Sequence, residues 1–392
     1  MASASALPEP WLDRLRTAAT RRREAGRERT IAPPAGIDFS SNDYLGLRRD
    51  PRLAEAASDA ARSYGTGTGA ARLLRGTTPL HESLESALAA WKGAEACLLF
   101  NTGFQANATL IPALVGPGDA VFSDALNHAS LVDGCRMAKA RGAQVQVFRH
   151  LELGDLDRRF SAWQKAAPVG ALSLVVTDSV FSMDGDAADL PGLVTLCERH
   201  GALLLIDEAH ATGLLGPTGA GLAEHQGVQG RIPLVMGTLG KALGSFGAFV
   251  AAPALLRDHL LNTARGFIFS TSLPPPAVGA ALAGVRIAQA EPWLRARALS
   301  HAQHLRDSLG LPAAPSAIIP VPIGPDAEAV RIASDLQALG FDVRAVRPPT
   351  VPEGSARLRI TTGAHLDAGQ VEALAAALPG LLATSLGPRP EV

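Results

Sequence analysis

Residues 203–213 read LLLIDEAHATG, and the fold follows from how that stretch ends. An apolar run without polar alternation is the pattern of a strand covered on both faces. Here it delivers Asp207, and His210 follows three residues later. Runs of the same kind lie around it: ACLLF (96–100), AVF (120–122), VQVF (145–148), ALSLVVTD (171–178), ALLLIDE (202–208), LVMGTL (234–239) and GAFVAA (247–252). Longer helical patterns separate them. Strand–helix alternation at this spacing predicts an α/β fold with a mostly parallel sheet and right-handed crossovers.

Further out the pattern changes. Trp11 to about Arg29 reads as a charged helical arm. After Pro274-Pro275-Pro276 a long helix is predicted over about 278–309. AIIPVPI (317–323), a helix near 326–339, FDVRAV (341–346), ARLRIT (356–361) and a last helix near 367–380 follow. The expected organisation is an N-terminal arm (1–50), a large α/β domain (51–280) and a smaller α+β C-terminal domain (281–392) with an antiparallel element. A chain of 392 residues suits about two or three domains.

Composition excludes several classes. The chain is 47% hydrophobic and 19% charged, enough for a core and unlike a disordered chain. A formal net charge of −1 offers no bulk attraction to nucleic acid or an acidic membrane. No apolar run approaches the roughly 18–20 residues that span a bilayer. Arg21, Arg22, Arg23, Arg27 and Arg29 precede no apolar segment, which argues against a secretory signal. Cys97, Cys135 and Cys197 are scattered, giving neither a disulfide framework nor a zinc site, and no metal is expected. Unpaired cysteines fit a reducing cytoplasm.

The chemistry concentrates at strand ends, where ligands of parallel sheets bind. Asp207 is placed to face a bound group, although an isolated Asp there would equally cap a helix. In MGTLGKALGSFGAF (236–249), Lys241 sits in a glycine-rich loop between apolar strands. A lysine in such a setting needs a partner or a covalent role, and burial makes its amine nucleophilic; the alternative is a lysine snorkelling to the surface. Ala242 breaks the Walker pattern GxxxxGK[ST]. Asp207 and Lys241 are 34 residues apart, one strand–helix–strand unit, so neighbouring strand ends present a carboxylate and an amine to one ligand. Pyridoxal phosphate (PLP) wants both, a carboxylate for its pyridinium and a lysine for its aldehyde.

Weaker signals surround this pair. LLFNTGFQANATL (98–110) reads as strand, turn and helix, with Gly103 and Phe104 amides able to hold a phosphate. Thr238 and the Ser270-Thr271-Ser272 run offer hydroxyls for the same anion. His128 could stack on a flat ring or act as an acid or base. Ser182 follows another strand and could reach a ligand oxygen or satisfy a turn. Taken singly, each of these is as well read as a capping or turn residue.

In combination, SSNDYLGL (40–47), GTGAARLLRGTTPLHESLE (67–85), NTGFQAN (101–107), NHAS (127–130), VFSMDGD (180–186), IDEAHATG (206–213), TLGKALG (238–244), FSTSLPP (269–275) and RPPTVPEGSARLRIT (347–361) are specific. The chain resembles the α-oxoamine synthases, PLP-dependent transferases of fold type I, almost end to end. The resemblance implies that Lys241 takes the cofactor as an imine, Asp207 pairs with the pyridine nitrogen and His128 stacks on the ring. It implies that Ser182 and His210 contact the phenolic oxygen. Gly103, Phe104 and Thr238 would hold the phosphate, with Ser270 or Thr271 reaching in from a second subunit of a homodimer. On the substrate side, Asn42 would lie near the imine and Arg359 would grip the amino-acid carboxylate, a contact suited to a guanidinium. Thr350 and Arg29 match positions that contact the acyl group.

Members of this family join an amino acid to an acyl-CoA and release CO2. RPPTVPEG looks most like the branch using L-alanine and pimeloyl-CoA or its carrier-protein thioester. Arg75 stands where that branch usually has Ser, Thr or Val, which bears on acyl-chain detail. Glycine C-acetyltransferase, 5-aminolevulinate synthase and serine palmitoyltransferase chemistry are the alternatives inside the family. A type I PLP aminotransferase or lyase keeps Lys241 and Asp207 without consuming a thioester. A PLP-free nucleotide-binding or regulatory protein is the remote alternative, since fold alone does not fix function.

Overall fold

The computed structural model describes residues 7–29, 31 and 33–386. The N-terminal third supplies α1 (Glu9–Glu24), β1 (Ile37–Asp38), α2 (Pro51–Tyr64), α3 (Pro79–Lys92), β2 (Ala96–Phe100), α4 (Gly103–Leu114) and β3 (Ala120–Asp124). The middle supplies α5 (Ala129–Ala140), β4 (Gln144–Phe148), α6 (Leu153–Gln164), β5 (Ser173–Asp178), α7 (Leu190–His200), β6 (Leu203–Asp207), α8 (Leu222–His225), β7 (Leu234–Thr238) and β8 (Ala248–Ala252). Then come α9 (Ala254–Thr263), α10 (Arg265–Ile268), α11 (Pro275–Ala290), α12 (Pro292–Ser308), β9 (Ile318–Gly324), α13 (Asp326–Ala338), β10 (Phe341–Asp342), β11 (Arg344–Val346), β12 (Ala356–Thr361) and α14 (Ala368–Leu386).

These elements form two compact units. The larger holds residues 41–319 and 361–372. Its seven-stranded sheet runs β2-β8-β7-β6-β5-β3-β4, and every strand except β8 points the same way. The apolar runs are the physical cause. Adjacent residues point to opposite faces of a strand, and both faces are covered: Val175 joins one core cluster and Val176 the other, each fully buried. A parallel sheet of this kind aligns the carboxyl ends of β5, β6 and β7 along one rim, where Asp178 pairs in register with Asp207 and Asp207 with Met236.

Among the described residues, the smaller unit comprises 7–29, 31, 33–40, 320–360 and 373–386. In it β1 pairs in parallel with β10, Ile37 opposite Phe341, and β11 pairs antiparallel with β12. Gly36 has φ +89° and lies so close to Gly340 that an added Cβ would stand 2.4 Å from its carbonyl oxygen, so only glycine lets the arm enter this pairing.

Two predicted elements are divided. The long helix expected over 278–309 is two helices, α11 and α12. Pro292 has no N–H and disfavours helical backbone at the residue before it, and Glu291 accordingly sits at φ −119°, ψ 70°. FDVRAV is two strands, because β10 serves one sheet and β11 another, with the chain turning at Val343, whose amide bonds the Phe341 carbonyl at 2.9 Å.

Candidate active site

The rim of the large sheet gathers its polar side chains where β5, β6 and β7 end. Asp207, 3% exposed, closes β6. Its Oδ1 accepts from the Ala209 amide at 2.8 Å and its Oδ2 from Asn107 Nδ2 at 2.7 Å. Three residues on, buried His210 lies with Nε2 2.7 Å from Lys241 Nζ and Nδ1 2.7 Å from the Tyr44 hydroxyl. Lys241 is half-buried in the loop between β7 and β8. That loop is tight: Leu239 bonds Gly247 at 2.8 Å, and Gly244 (φ +65°) has room for no Cβ, the Leu47 carbonyl carbon being 2.7 Å from where it would sit.

On the other side, His128 caps α5. Its Nδ1 accepts from the Ser130 amide at 3.3 Å and lies 2.7 Å from Ser130 Oγ. A backbone N–H can only donate, so Nδ1 carries a lone pair and the neutral ring holds its proton on Nε2. The His128 amide donates to Asp178 Oδ2 at 2.7 Å. Withdrawal of water holds the His128 imidazole below its ordinary pKa, with Asp207 opposing that shift and Lys241 reinforcing it. Burial pushes the Asp178 carboxyl well above the usual range; neighbouring Asp207 adds to this, while the His128 amide and Lys241 work against it. Each group thus feels both Asp207 and Lys241, which puts His128, Asp178, Asp207, His210 and Lys241 around one small volume.

Asn107 ties the two sides together. Fully buried, it donates to Asp207 Oδ2 and, at 3.0 Å, to Ser130 Oγ, and its Oδ1 has no partner among the described residues. Asn107, Ser130, Asp178 and Tyr44 were not singled out by the sequence reasoning. Each lies inside a stretch quoted above, but its partner is far along the chain, Asp207 lying 100 residues from Asn107 and His210 166 from Tyr44.

The remaining candidates take these positions. Gly103 and Phe104 open α4, and Thr102 caps it by accepting the Gln105 amide at 3.0 Å. Thr238 ends β7, its hydroxyl 3.0 Å from the Gly247 carbonyl and 3.2 Å from the Gly240 amide. Ser182 is half-buried in the turn after β5, which is closed by bonds between Phe181 and both Gly185 and Asp186. Asn42 Oδ1 accepts from the Tyr44 hydroxyl at 3.1 Å. Within the chain Ser270 receives a bond from Gln105 Nε2 at 2.5 Å, and exposed Thr271 offers its carbonyl to Asn101 Nδ2 at 2.8 Å.

Arg29, Thr350 and Arg359 belong to the smaller unit. Arg359 is 8% exposed on β12, opposite Arg344 of β11. Thr350 is exposed in a turn closed by its amide on the Arg347 carbonyl at 3.1 Å. Arg29 is exposed; two residues earlier, Arg27 pairs with Asp326 at 3.3 Å and with Glu353. All three cysteines are buried, and burial raises their thiols, Cys135 to about 11 and Cys197 to about 12, so none is poised as a thiolate.

This donor set fits PLP. A carboxylate stands ready for a pyridinium, an amine for an aldehyde and an imidazole with an open side for a flat ring, while the hydroxyl and amides at the starts of α4 and the β7–β8 loop suit a phosphate.

Residues 34–378 match the model of the aminotransferase class I and II family. The chain is 50% identical over 362 residues to an 8-amino-7-oxononanoate synthase of Anaeromyxobacter dehalogenans, covering 90% of this chain and 88% of that one. The chain belongs to the α-oxoamine synthases within that family. A second relative, the 8-amino-7-oxononanoate synthase of Geobacter sulfurreducens, is 47% identical over 91% of this chain and 94% of its own. Among solved structures, a serine palmitoyltransferase from S. paucimobilis carrying a PLP–myriocin aldimine superposes with a TM-score of 0.85 at 30% identity, covering 96% of this chain and 97% of that one. An 8-amino-7-oxononanoate synthase from Francisella tularensis superposes at 0.74 with 25% identity, over 89% and 97%. The α/β fold expected from the strand pattern, and its type I PLP-dependent transferase form expected from the family resemblance, are therefore those of this α-oxoamine synthase.

Proposed function

We propose that the chain is a PLP-dependent 8-amino-7-oxononanoate synthase, joining L-alanine to a pimeloyl thioester with loss of CO2. The observation that carries the chemistry is the convergence of Asp207, His210, His128 and Lys241 on one strand-end rim. Half-identity to synthases of that name, spread over nine-tenths of the chain, supports the substrates.

The bound cofactor would supply the electron sink for a negative charge at the amino acid's α-carbon. Lys241 would hold the cofactor, Asp207 would keep its ring nitrogen protonated, and His128 would cover one ring face. Ser182 and His210 would face its phenolic oxygen. Gly103, Phe104 and Thr238 would take the phosphate, and Ser270 or Thr271 of a second copy would complete it. Arg359 would bind the carboxylate of alanine, Asn42 would line the amino-acid side, and Thr350 and Arg29 the acyl side. Lys241 Nζ would remove the α-proton as general base and later return a proton to the product. The α-carbon forms its bond to the thioester carbonyl carbon, the C–S bond breaks and the thiol leaves. The carboxylate then departs as CO2, leaving 8-amino-7-oxononanoate.

We further propose a homodimer in the cytoplasm. Leu74, Phe104, Phe246 and Phe269 are exposed apolar side chains of the kind a second copy covers. A cavity of about 740 Å³ lined by Thr109, Met137, Phe269 and Ser270 opens beside two of the groups assigned to the interface. Among the described residues no helix is long and apolar enough to cross a membrane.

The test is thiol release on mixing alanine, glycine or serine with pimeloyl, acetyl, succinyl or palmitoyl thioesters of CoA, and with pimeloyl carrier protein. Alanine with a pimeloyl donor should exceed every other pair. Thiol release that is fastest with glycine and acetyl-CoA or succinyl-CoA would move the protein to another branch of the family. Transamination without thiol release would end the reading.

A further inference from the structure

A chain of hydrogen bonds leads away from the reactive amine into the protein. Lys241 Nζ lies 2.7 Å from His210 Nε2, His210 Nδ1 lies 2.7 Å from the Tyr44 hydroxyl, and that hydroxyl lies 3.1 Å from Asn42 Oδ1. Tyr44 is completely buried and His210 is 5% exposed. The tyrosine ring meets the imidazole edge-on, with centroids 6.1 Å apart at 60°. Its backbone is pinned at both groups, the amide to the Asn42 carbonyl and the carbonyl to the Ala364 amide, each at 2.9 Å. The hydroxyl is therefore held where it is.

Proton counting limits how this chain is filled. A tyrosine hydroxyl has one proton, a neutral imidazole has one, and an ammonium can only donate. With Lys241 as ammonium, it donates to Nε2, the ring proton sits on Nδ1 and points to the tyrosine oxygen, and the tyrosine proton goes to Asn42. With Lys241 as neutral amine, Nε2–H donates to Nζ and Nδ1 accepts the tyrosine proton. An Nε2–H ring facing the ammonium sets two protons against each other inside a buried site, whereas a neutral amine, which both donates and accepts, tolerates either tautomer. The Nε2–H tautomer of His210 is thus open only when Lys241 is neutral, and the Tyr44 hydroxyl, as donor to Nδ1, is where the direction of the chain reverses.

We propose that Tyr44 is a positioning residue that couples the His210 tautomer to the charge of Lys241, and so sets the basicity of the amine that moves the substrate's α-proton. This rests on the role given to Lys241 above. The other ionisable groups around the amine, His128, Asp207 and Asp178, do not include Tyr44 among their described hydrogen-bond partners. Removing one hydroxyl therefore leaves their described bonds in place.

The test compares wild type with Tyr44→Phe, which keeps the ring. Nitrogen-15 imidazole spectra of the cofactor-free protein report the tautomer, and the pH dependence of Lys241 acylation, quantified on its peptide by mass spectrometry, reports the amine. In wild type, the Nε2–H form of His210 should appear only as Lys241 becomes reactive. In Tyr44→Phe that midpoint should move by about half a pH unit or more, and the tautomer should no longer follow it. In the cofactor-loaded protein kcat for thiol release should fall about tenfold with KM changed less than about threefold. An unmoved lysine midpoint overturns the proposal. If the variant does not fold, a wild-type His210 tautomer that stays constant through the lysine titration overturns it too. Neither reading uses a thioester substrate of the enzyme, so a wrong acyl substrate would leave both coupled titrations intact and abolish only thiol release.

Discussion

Two of the four lysines in this chain are withdrawn from solvent within the larger unit, and they are held in opposite ways. Lys92, at the end of α3, is 2% exposed at its side chain and is matched by a carboxylate: Glu208 at 2.6 Å, with Thr212 at 2.8 Å and the Ala220 carbonyl beside it. Glu208 is satisfied in turn, its other oxygen taking the Ala223 amide at 2.9 Å. Lys241 is half-buried and meets an imidazole, at 2.7 Å. A cation against a buried carboxylate is held by opposite charge. An amine against an imidazole can give up its proton, because the imidazole serves as donor or acceptor. Glu208 follows Asp207 directly, so one strand end directs one carboxylate to a structural lysine and the preceding one to Asn107 and the rim where the cofactor is proposed to bind.

Substitution should separate the two roles. Lys241→Ala should remove the visible absorbance that PLP gives on an enzyme lysine and lower thiol release by more than about a thousandfold, while shifting the urea midpoint little. A Lys241→Ala protein as active as wild type would end the assignment of that amine. Lys92→Met should do the reverse. It leaves Glu208 buried without its cation, and denaturation should register a loss of roughly 3–5 kcal/mol. Adding Glu208→Gln to Lys92→Met should recover part of that loss, since the stranded charge is gone. If Lys92→Met unfolds no more easily than wild type, the contrast between the lysines fails on its structural side.

Much of this was legible in the sequence for a physical reason. Buried parallel strands need both faces apolar, so ACLLF, LLLID and LVMGT announce themselves within one residue of where β2, β6 and β7 lie. Lys241, Asp207 and His210 share a chemistry readable from residue type and spacing, and the structure brings them together. The break at Glu291–Pro292 was hidden because the apolar pattern continues across it, although the proline itself was the signal. The contacts that orient the site were not legible. Asn107, Ser130 and Tyr44 are ordinary residues by local pattern, and their meaning comes from partners that only the folded sheet brings close. Lys92 and Glu208, 116 residues apart, escape for the same reason.

A third cation sharpens the contrast because its charge can be switched without mutation. His150 sits between two carboxylates, Nδ1 2.8 Å from Asp124 and Nε2 2.7 Å from Asp186, with its ring edge on Phe181 at 4.4 Å. Burial works against its charge, but the two hydrogen-bonded carboxylates outweigh it and raise the pKa from 6.5 to about 9. A pKa raised by folding contributes stability that is complete below the unfolded value and disappears as pH rises through the folded one. The stability gap between wild type and His150→Leu should therefore be largest below pH 6.5 and should shrink as pH rises from there through about 9, by about 2 kcal/mol at most after allowance for the part of the ring that water reaches. Urea denaturation of both proteins across that interval measures it, and a gap that does not change with pH would show that the imidazole is held neutral. Asp186 also closes the turn that presents Ser182, through its carbonyl on the Phe181 amide at 3.0 Å. Like Lys92, His150 uses a cation–carboxylate contact to hold a segment of the rim in place, so its deprotonation should loosen the Ser182 turn while leaving the Lys241–His210 contact to titrate on its own.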